Sequence, residues 1–445
     1  MADGYDYLSW EQRTTESARL HEEALETFPG GVSHNLRYFQ PHPLYLDRAE
    51  GARVWDVDGN EYVDFWMNHI TSVLGHAHPD VVSAVQEQAA RGLHYGAPNE
   101  KALRLGRKIQ EHVPSAERVR YCASGTEATM YAVRLARAFT GRDDVLKARG
   151  GWHGGSTDLA AAVHAPFDEP TTAGLPSGAE EHVLDFGVND REEVERLFDE
   201  HEGDVACVIV EPMLLAGGGV EVEPSFLEFL RAETERRGAL LVFDEVVTGF
   251  RVSPGTYQER VGVTPDLTTL GKFLGGGLPV GALAGRADLF ENARPDVDVP
   301  PGEQVLAGGG TFTANPMTAT AGLESISVLE NEPVHAETES AGERVRERLR
   351  ELFADLGVEA SVLGTSSLFL PHFEPETALD SVGAVETRTN RTALFEFHRR
   401  LVDRGYYFLP GHMGSVSYQT STEDLDGMLA ASRDVAEELV AEGVL

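Results

Sequence analysis

Two apolar stretches in the middle of the chain each end in a residue that can take part in chemistry. Residues 239–245 read Ala-Leu-Leu-Val-Phe-Asp-Glu, and residues 267–272 read Leu-Thr-Thr-Leu-Gly-Lys. Short apolar runs of this kind predict buried β-strands. In an open parallel sheet, ligands bind beyond the carboxyl ends of the strands. We therefore expect Asp244 and Lys272 to lie at one edge of such a sheet.

The same alternation of short strands and amphipathic helices extends on both sides of these stretches. Strands are predicted at 118–122, 144–148, 205–210, 239–244, 267–270 and 280–284, and helices at 80–92, 98–112, 126–140 and 224–237. This pattern predicts an α/β fold in which helices cover both faces of a mostly parallel sheet. Residues 287–308, which include three prolines, are predicted to form a long irregular loop.

The two ends of the chain have a different pattern. The predicted elements there are a helix at 11–28, hairpin strands at 53–57 and 61–65, and helices at 334–355, 390–404 and 422–441. We expect residues 75–325 to form the large domain. Residues 1–74 and 326–445 are expected to build a smaller α+β domain together.

Composition excludes several classes of protein. The chain has 445 residues, of which 41% are apolar and 25% charged, so it is neither disordered nor fibrous. Its 37 basic and 73 acidic residues give a net charge of −36, which argues against nucleic acid and membranes as partners. No apolar stretch reaches the roughly 18 residues of a membrane helix, and no secretory signal is visible. We therefore expect a cytoplasmic protein.

Lysine is rare in this chain. There are four lysines, Lys101, Lys108, Lys147 and Lys272, against 33 arginines. A strongly acidic, lysine-poor composition is typical of salt-adapted proteins, although an ordinary acidic protein remains the alternative.

The two cysteines are too few for a disulfide framework or a thiolate zinc site, and Cys207 lies in an apolar run that predicts a core position.

The sequence Ser124-Gly125-Thr126 lies between a predicted strand and the helix at 126–140. Unpaired N–H groups and a partial positive charge at a helix N-terminus suit a phosphate, and glycine lets the anion approach closely. Serine or threonine at this position can equally be an ordinary helix cap. The motif alone leaves both interpretations open.

Asp244 and Lys272 suggest a more specific chemistry. An aspartate after a buried strand needs a partner, which is either a cationic ring nitrogen or a structural cap or ion pair. Lys272 persists although arginine has replaced nearly every other lysine, which favours a nucleophilic amine over a phosphate contact or a tolerated lysine. A nucleotide-binding P-loop is excluded, because its first glycine would fall on Asp266 and Phe273 replaces the required Ser or Thr. A phosphate site, an aspartate and a Schiff-base lysine together predict pyridoxal phosphate as cofactor.

These residues belong to a longer series of motifs that resembles the class III pyridoxal-phosphate-dependent aminotransferases, and within them the glutamate-1-semialdehyde aminomutase group. The resemblance covers about residues 28 to 330 and is weaker beyond them. The motifs are Ser124-Gly-Thr-Glu-Ala128, Trp152-His-Gly154, Val210-Glu-Pro212, Asp244-Glu-Val-Val-Thr-Gly-Phe-Arg251, Pro265-Asp-Leu-Thr-Thr-Leu-Gly-Lys272, Gly275-Gly-Gly-Leu-Pro-Val-Gly281 and Gly310-Thr-Phe-Thr-Ala-Asn-Pro316. The resemblance implies the fold type I of pyridoxal-phosphate enzymes.

The resemblance also implies roles for the residues at the centre of the site. Lys272 would form the internal aldimine and shuttle the substrate proton, and Asp244 would pair with the pyridine nitrogen. Val246 would pack against the face of the ring. Gly125 and Thr126, with the adjoining Ser124, would bind the phosphate.

Further positions are implied at the periphery. Trp152 stands where the family has an aromatic residue stacked on the ring, and His153 beside it is a further cofactor-binding candidate. Glu211 resembles the acid near the phenolic oxygen of the cofactor. Thr311 resembles a threonine that reaches the phosphate of a neighbouring subunit, which implies a homodimer with shared active sites.

Substrate recognition is expected near the N-terminus. Arg37 matches an arginine that binds the substrate carboxylate, although it is also one of 33 arginines, and His69 occupies the place of a tryptophan beside the substrate. His34-Asn-Leu36 replaces a Ser-Pro-Val of the aminomutases, the glutamate expected near 410–415 is missing, and residues 155–180 match the aminomutase gating loop poorly.

These departures favour an aminotransferase that acts on a small carboxylate-bearing amine. Glutamate-1-semialdehyde 2,1-aminomutase, which exchanges the amino group within one molecule, is the alternative, and a non-catalytic regulator that binds the cofactor is a remote one. The two histidines of Gly75-His-Ala-His-Pro79 are interpreted as part of a structural turn, and we expect no metal site.

Overall fold

The computed structural model describes residues 8–169, 171–179, 181–300, 302–374 and 378–445. The chain divides into two compact units. The sheet unit comprises Pro79–His335 and Leu379–Thr387, and the terminal unit comprises the described residues of Met1–His78, Ala336–Ala378 and Arg388–Leu445.

The regular elements are numbered along the described chain. The strands are β1 (Leu46–Glu50), β2 (Arg53–Asp56), β3 (Glu61–Asp64), β4 (Arg118–Cys122), β5 (Asp144–Ala148), β6 (Val183–Phe186), β7 (Val205–Val210), β8 (Met213–Leu214), β9 (Val220–Glu221), β10 (Leu240–Glu245), β11 (Leu267–Gly271), β12 (Gly281–Gly285), β13 (Ala360–Leu363), β14 (Leu368–Phe373), β15 (Tyr406–Tyr407) and β16 (Gly414–Ser415). The helices are α1 (Leu8–Arg13), α2 (Thr15–Leu25), α3 (Met67–Ile70), α4 (Pro79–Arg91), α5 (Glu100–His112), α6 (Gly125–Thr140), α7 (Arg191–Glu200), α8 (Pro224–Arg237), α9 (Thr256–Val261), α10 (Pro316–Asn331), α11 (Val334–Asp355), α12 (Val382–Arg388), α13 (Arg391–Asp403) and α14 (Thr422–Ala441).

The sheet unit is built on seven strands in the order β4-β12-β11-β10-β7-β5-β6. Neighbouring strands from β11 to β6 run parallel, whereas β12 is antiparallel to both β11 and β4. The predicted large, mostly parallel sheet with flanking helices is therefore confirmed. Because β10 and β11 are parallel neighbours, the two stretches quoted first end at the same edge.

Helix α6 carries the residues expected to bind phosphate, and apolar burial fixes its position. Its side chains Ala132, Val133, Leu135 and Ala136 belong to one buried cluster with Cys207 of β7. Small alanines let the helix lie close to the sheet, and the burial of this face holds the helix N-terminus in place. Cys207 is fully buried in this cluster, as predicted.

The terminal unit contains two small sheets. The predicted hairpin is present as antiparallel β2 and β3 within the order β1-β2-β3-β15. The last of these strands, β15, comes from the C-terminal part of the chain and pairs parallel with β3. Both ends of the chain therefore contribute to one sheet, and β13-β14-β16 form the second.

One prediction needs correction, and one helix was missed. The single helix predicted at 11–28 is two helices, because Thr14 leaves helical geometry with φ −125°. Its hydroxyl donates to the carbonyl of Trp10 at 2.7 Å and bonds His42 Nε2 at 2.9 Å, which offers the backbone an alternative to a continuous helix. Helix α10 was not predicted, because both of its faces are largely buried and it lacks the polar stripe that marks an amphipathic helix.

No helix in the described part of the chain is long and apolar enough to cross a bilayer.

Gly281 should be essential for the junction between β12 and the start of α6. A Cβ at this residue would lie 2.0 Å from the carbonyl oxygen of Ser124, 2.5 Å from its carbonyl carbon and 2.6 Å from Cys122 Sγ, and the backbone of Ser124 cannot move aside cheaply. We expect Gly281→Ala to reduce the free energy of unfolding by roughly 2–3 kcal/mol, measured by chemical denaturation. Gly302→Ala is the matched control, since a Cβ at Gly302 meets nothing within 4 Å. Equal stability of the two variants would contradict this account.

Candidate active site

The N-terminus of α6 has the geometry of an anion-binding site. Ser124 caps it, because its hydroxyl accepts from the Glu127 N–H at 3.2 Å, and the Glu127 carboxylate accepts from the Ala123 N–H at 2.5 Å. Among the described residues, the N–H groups of Gly125 and Thr126 have no hydrogen-bond partner. Two unpaired donors at the positive end of a 16-residue helix suit a phosphate.

Val246 connects this anion site to the loop that carries Lys272. A Cβ at Gly125 would lie 2.9 Å from the Val246 side chain, and one at Gly271 would lie 3.2 Å from it. The valine therefore lies between the start of α6 and the residue before Lys272. The predicted apolar contact of Val246 with a flat ring would form at this position.

Asp244 is buried at the end of β10 and is held by three donors. Its Oδ1 accepts from the Thr269 hydroxyl at 2.9 Å and from the Val246 N–H at 3.1 Å. Its Oδ2 lies 2.7 Å from His153 Nδ1. A carboxylate that is 4% exposed and has this many donors is fixed in orientation, with Oδ2 still able to accept a further bond.

His153 supports the aspartate from the opposite side. The imidazole is 1% exposed, and burial lowers its pKa, although the Asp244 carboxylate opposes this. Its Nε2 is a buried polar atom without a partner in the described residues. The Thr129 hydroxyl donates to the His153 carbonyl at 2.6 Å and so ties this segment to α6.

Glu211 follows β7, the neighbour of β10. Its two carboxylate oxygens accept from the Trp152 N–H at 2.8 Å and the Leu215 N–H at 3.3 Å. Burial, reinforced by the charge of Asp244, raises its pKa to about 8. This carboxyl can therefore hold or release a proton near neutral pH.

Lys272 is the first residue after β11 and has an unusual backbone. Its φ is 42°, in the left-handed region that side chains rarely adopt, which costs on the order of 1 kcal/mol. The side chain is largely buried, and burial lowers the pKa of its amine, whereas the charges of Asp244 and Glu211 oppose this shift. An amine in this environment loses its proton more readily than an exposed lysine, as a nucleophile requires.

Trp152 and Thr311 are less constrained. The Trp152 side chain is 49% exposed, while its backbone N–H is bound to Glu211. Thr311 is exposed and follows three glycines with positive φ, Gly308, Gly309 and Gly310. Neither residue is buried by the rest of the sheet unit, so both are accessible to a ligand or a partner.

Arg37 and His69 belong to the terminal unit. Arg37 is exposed in a 3₁₀ turn, Asn35–Arg37, and its guanidinium donates to the Ser33 hydroxyl at 2.8 Å. The His69 ring lies 4.7 Å from that of Trp66 and 6.2 Å from that of His34. His34 immediately precedes the turn that carries Arg37. The contact between His34 and His69 therefore brings together the two segments that were predicted to recognise the substrate.

A left-handed turn presents His69. All four residues of α3 have φ between 45° and 58°, and none is glycine. The Ile70 N–H donates to the Trp66 carbonyl at 2.8 Å, and the Thr71 N–H to the Met67 carbonyl at 2.8 Å. Left-handed geometry costs roughly 1–2 kcal/mol per residue, and such strain is concentrated at functional sites.

Sequence reasoning missed three supporting residues in the sheet unit. Thr269 and Thr129 support Asp244 and His153, but a threonine in a strand or helix has no signal that identifies its partner. Lys147 was noted for its rarity and given no role. It proves to be fully buried in β5.

These residues fit pyridoxal phosphate. The free N–H groups at α6 suit its phosphate, and the oriented carboxylate of Asp244 suits a protonated ring nitrogen. The amine of Lys272 suits its aldehyde, and all three groups lie at or just beyond the carboxyl ends of strands of one sheet. The combination of an anion site, a buried acid and a desolvated amine matches the chemistry of this cofactor.

Comparisons with known proteins agree with this site. The family model for class III aminotransferases matches residues 37–412. A glutamate-1-semialdehyde 2,1-aminomutase of Methanothermobacter thermautotrophicus is 39% identical over 424 residues, which cover 94% of this chain and 98% of that one. The chain belongs to the class III aminotransferase family and is a pyridoxal-phosphate-dependent enzyme.

Solved structures agree in fold. An ω-transaminase from Sphaerobacter thermophilus is 33% identical, with a TM-score of 0.87 over 95% of this chain and 97% of that chain. A β-phenylalanine aminotransferase from Variovorax paradoxus is 32% identical, with a TM-score of 0.87 over 98% of this chain and 96% of that chain. The predicted fold, family and cofactor are confirmed.

The raised pKa of Glu211 makes stability depend on pH. The folded carboxyl titrates near 8 and the unfolded one near its ordinary value of 4.5. Between these values unfolding releases a proton, so this group makes the protein less stable as pH rises from 4.5 to 8. In chemical denaturation, we expect the unfolding free energy of cofactor-free Glu211→Gln to exceed that of the cofactor-free wild type by about 4 kcal/mol more at pH 8 than at pH 4.5.

The control is Glu228→Gln, which removes an exposed carboxyl from α8 of the same unit. It should change the unfolding free energy little at either pH. A pH-independent difference between Glu211→Gln and the wild type would show that the carboxyl does not titrate in this range.

Proposed function

We propose that this enzyme transfers an amino group from a small carboxylate-bearing amine to an oxo acid, with Lys272 as the residue that holds the cofactor. The observation that carries the proposal is the convergence at one sheet edge of the Lys272 amine, the Asp244 carboxylate and the Glu211 carboxyl. The electrostatic effect of both acids on the lysine pKa supports their proximity. When bound, pyridoxal phosphate supplies an electron-withdrawing ring that makes the proton beside the substrate nitrogen acidic.

The side chains have distinct tasks in this proposal. Thr269 and His153 orient the Asp244 carboxylate, whose negative charge would stabilise the protonated ring nitrogen of the cofactor. The donors at Gly125 and Thr126 hold the phosphate. Lys272, whose ammonium form is disfavoured by burial, accepts a substrate proton at Nζ and returns one to the product.

Arg37 is our candidate for the substrate carboxylate. A guanidinium presents two parallel donors that match a carboxylate, and the bond to Ser33 restricts its orientation. The strained turn that presents His69 supports a role for this histidine in the same recognition. Arg37 and His69 would thus select an amino-group donor substrate that carries an anionic group.

A second candidate function is glutamate-1-semialdehyde 2,1-aminomutase. The curated relative from Methanothermobacter thermautotrophicus bears that name and covers nearly the whole chain. The His34-Asn-Leu36 sequence and the missing glutamate near 410–415 count against it. Both functions require the same cofactor site, so the substrate and the need for an added keto acid distinguish them.

We further propose that the enzyme is a homodimer with shared active sites. We define as the apolar patch three exposed side chains from two segments near Thr311, namely Leu93 at 62%, Tyr95 at 47% and Phe312 at 66% exposure. The rings of His94 and Phe312 lie 5.7 Å apart, which joins the two segments of the patch. A second copy of the chain is the occupant we infer, because Thr311 lies next to Phe312 and resembles a residue that reaches across a subunit boundary.

The function is tested with a panel of carboxylate-bearing amines in high salt, with and without an added keto acid. We expect the wild type to consume a donor only when the keto acid is present. Lys272→Ala should lower turnover by roughly 10³-fold, because the proton-transferring amine is lost. Borohydride reduction of the wild type should attach the cofactor to the peptide that contains Lys272, as read by mass spectrometry.

Lys108→Ala is the matched control. This lysine of the same unit pairs with Glu111 and Glu330 on the surface, so its removal should leave turnover unchanged. Conversion of glutamate semialdehyde without a keto acid would select the aminomutase. Full turnover of Lys272→Ala would overturn the role of this lysine under either function.

The dimer is tested by Phe312→Glu in sedimentation experiments. A charge at the most exposed side chain of the apolar patch should convert the dimer to monomers, and cofactor affinity should fall because Thr311 no longer reaches a second site. Phe139→Glu is the control, since Phe139 is an exposed phenylalanine at 46% that lies outside the patch. A dimer that persists in Phe312→Glu with unchanged cofactor affinity would contradict the proposed interface.

A further inference from the structure

Lys147 is a fully buried lysine in β5, the last strand but one in the order of the seven-stranded sheet. Its side chain is 0% exposed. Its Nζ has two hydrogen-bond contacts, to the carbonyl oxygens of Ala148 at 3.4 Å and Ala162 at 3.5 Å, and among the described residues it forms no ion pair. An ammonium that is buried without a carboxylate partner is costly, and a methionine would fill the same space without that cost. The lysine therefore needs an explanation beyond packing.

Strand register places Lys147 on the same face of the sheet as Glu211. In the parallel pair of β5 and β7, Lys147 is opposite Ile209. Glu211 is two residues beyond Ile209, and alternate residues of a strand point to the same face. Lys147 and Glu211 are thus diagonal neighbours across two adjacent strands.

The same register continues to Asp244. Phe243 of β10 is opposite Val210 of β7, so the next residues, Asp244 and Glu211, are also neighbours. The face therefore carries a row of charged groups in the order Lys147, Glu211, Asp244. This charged row leads from the buried interior to the edge where Lys272 lies.

The other charged groups near Lys147 already have partners. Asp185 is opposite Lys147 in β6, but its carboxylate is bonded by the guanidinium of Arg149. Arg149 also binds Glu193. His153, which is influenced by the charge of Lys147, is bound to Asp244.

Within the described part of the chain, Glu211 is the acid of this row that has no cation bonded to it. Its oxygens accept only from the backbone N–H groups of Trp152 and Leu215 among the described residues. Burial lowers the pKa of Lys147 to about 8, and the charge of Glu211 is the largest influence that opposes this shift. The lysine and the glutamate are thus electrostatically linked, and Glu211 in turn acts on Lys272.

We propose that Lys147 is a positioning residue that favours the ionised form of Glu211 and thereby influences the protonation of the group formed at Lys272. The inference rests on the proposed function, because it requires Lys272 to hold the cofactor. The ammonium of Lys147 favours the carboxylate form of Glu211, and that negative charge favours a proton on the Lys272 nitrogen. Lys147 itself touches neither substrate nor cofactor in this proposal.

The experiment is a pH titration of the visible absorption band of the bound cofactor. Lys147→Met leaves Glu211 uncharged to higher pH and so removes the negative charge that favours the proton at Lys272. We expect the titration midpoint to fall by roughly one pH unit. If Lys147 instead acted directly on Lys272, loss of a nearby cation would raise the midpoint. The direction of the shift therefore distinguishes the two mechanisms.

A double-mutant cycle makes the test sharper. In a Glu211→Gln background, Lys147→Met should shift the midpoint no further, because the group through which it acts is gone. Lys108→Met removes the same charge from the surface of the same unit and should leave the midpoint unchanged. Lys147→Gln also removes the charge but keeps donors for the two carbonyls, so it replaces Lys147→Met if that variant fails to fold.

The outcomes separate this inference from the proposed function. A wild type without a cofactor band, or with the cofactor attached to a residue other than Lys272, overturns the proposed function. A normal wild-type band that keeps its midpoint in folded Lys147→Met and Lys147→Gln overturns the inference alone. An equal shift in the wild-type and Glu211→Gln backgrounds also overturns it, because Lys147 would then act independently of Glu211.

Discussion

The buried carboxylate of Asp244 is the constraint on which the rest of the site depends. A charge at the end of a buried strand is tolerated only when donors surround it, and Thr269, Val246 and His153 provide them. Each donor comes from a different segment, so satisfying one charge brings β11, the turn after β10 and the segment after β5 into fixed positions. Thr129 extends this arrangement to α6 and the anion site.

The site is assembled at a cost in stability. Glu211 is buried without a cation bonded to it in the described chain, and Lys147 is buried beside backbone carbonyls. Lys272 adopts a strained backbone conformation, as do the residues of the turn that presents His69. Apolar burial elsewhere offsets these costs, above all where α6 packs against the sheet. Such a distribution, with strain and unpaired charge at the site and close packing around it, is typical of enzymes.

Much of the fold could be predicted from the sequence, because the relevant signals are local. The strands β4, β5 and β7 have the predicted bounds, and the hairpin of β2 and β3 follows from its turn residues. The predictions failed where a tertiary contact competes with local preference. Thr14 breaks a helix through its bonds to Trp10 and His42, and α10 is hidden because burial on most of its surface removes the amphipathic pattern.

By itself, the sequence determined which residue follows each strand, where α6 begins, and that its motifs are those of a pyridoxal-phosphate enzyme. These properties depend on residues that are adjacent in the chain. Only the tertiary structure decided that β12 is antiparallel within the sheet and that Lys147, Glu211 and Asp244 stand in a row. Strand order and register arise from packing between segments that are tens of residues apart, and no local pattern in the sequence encodes them.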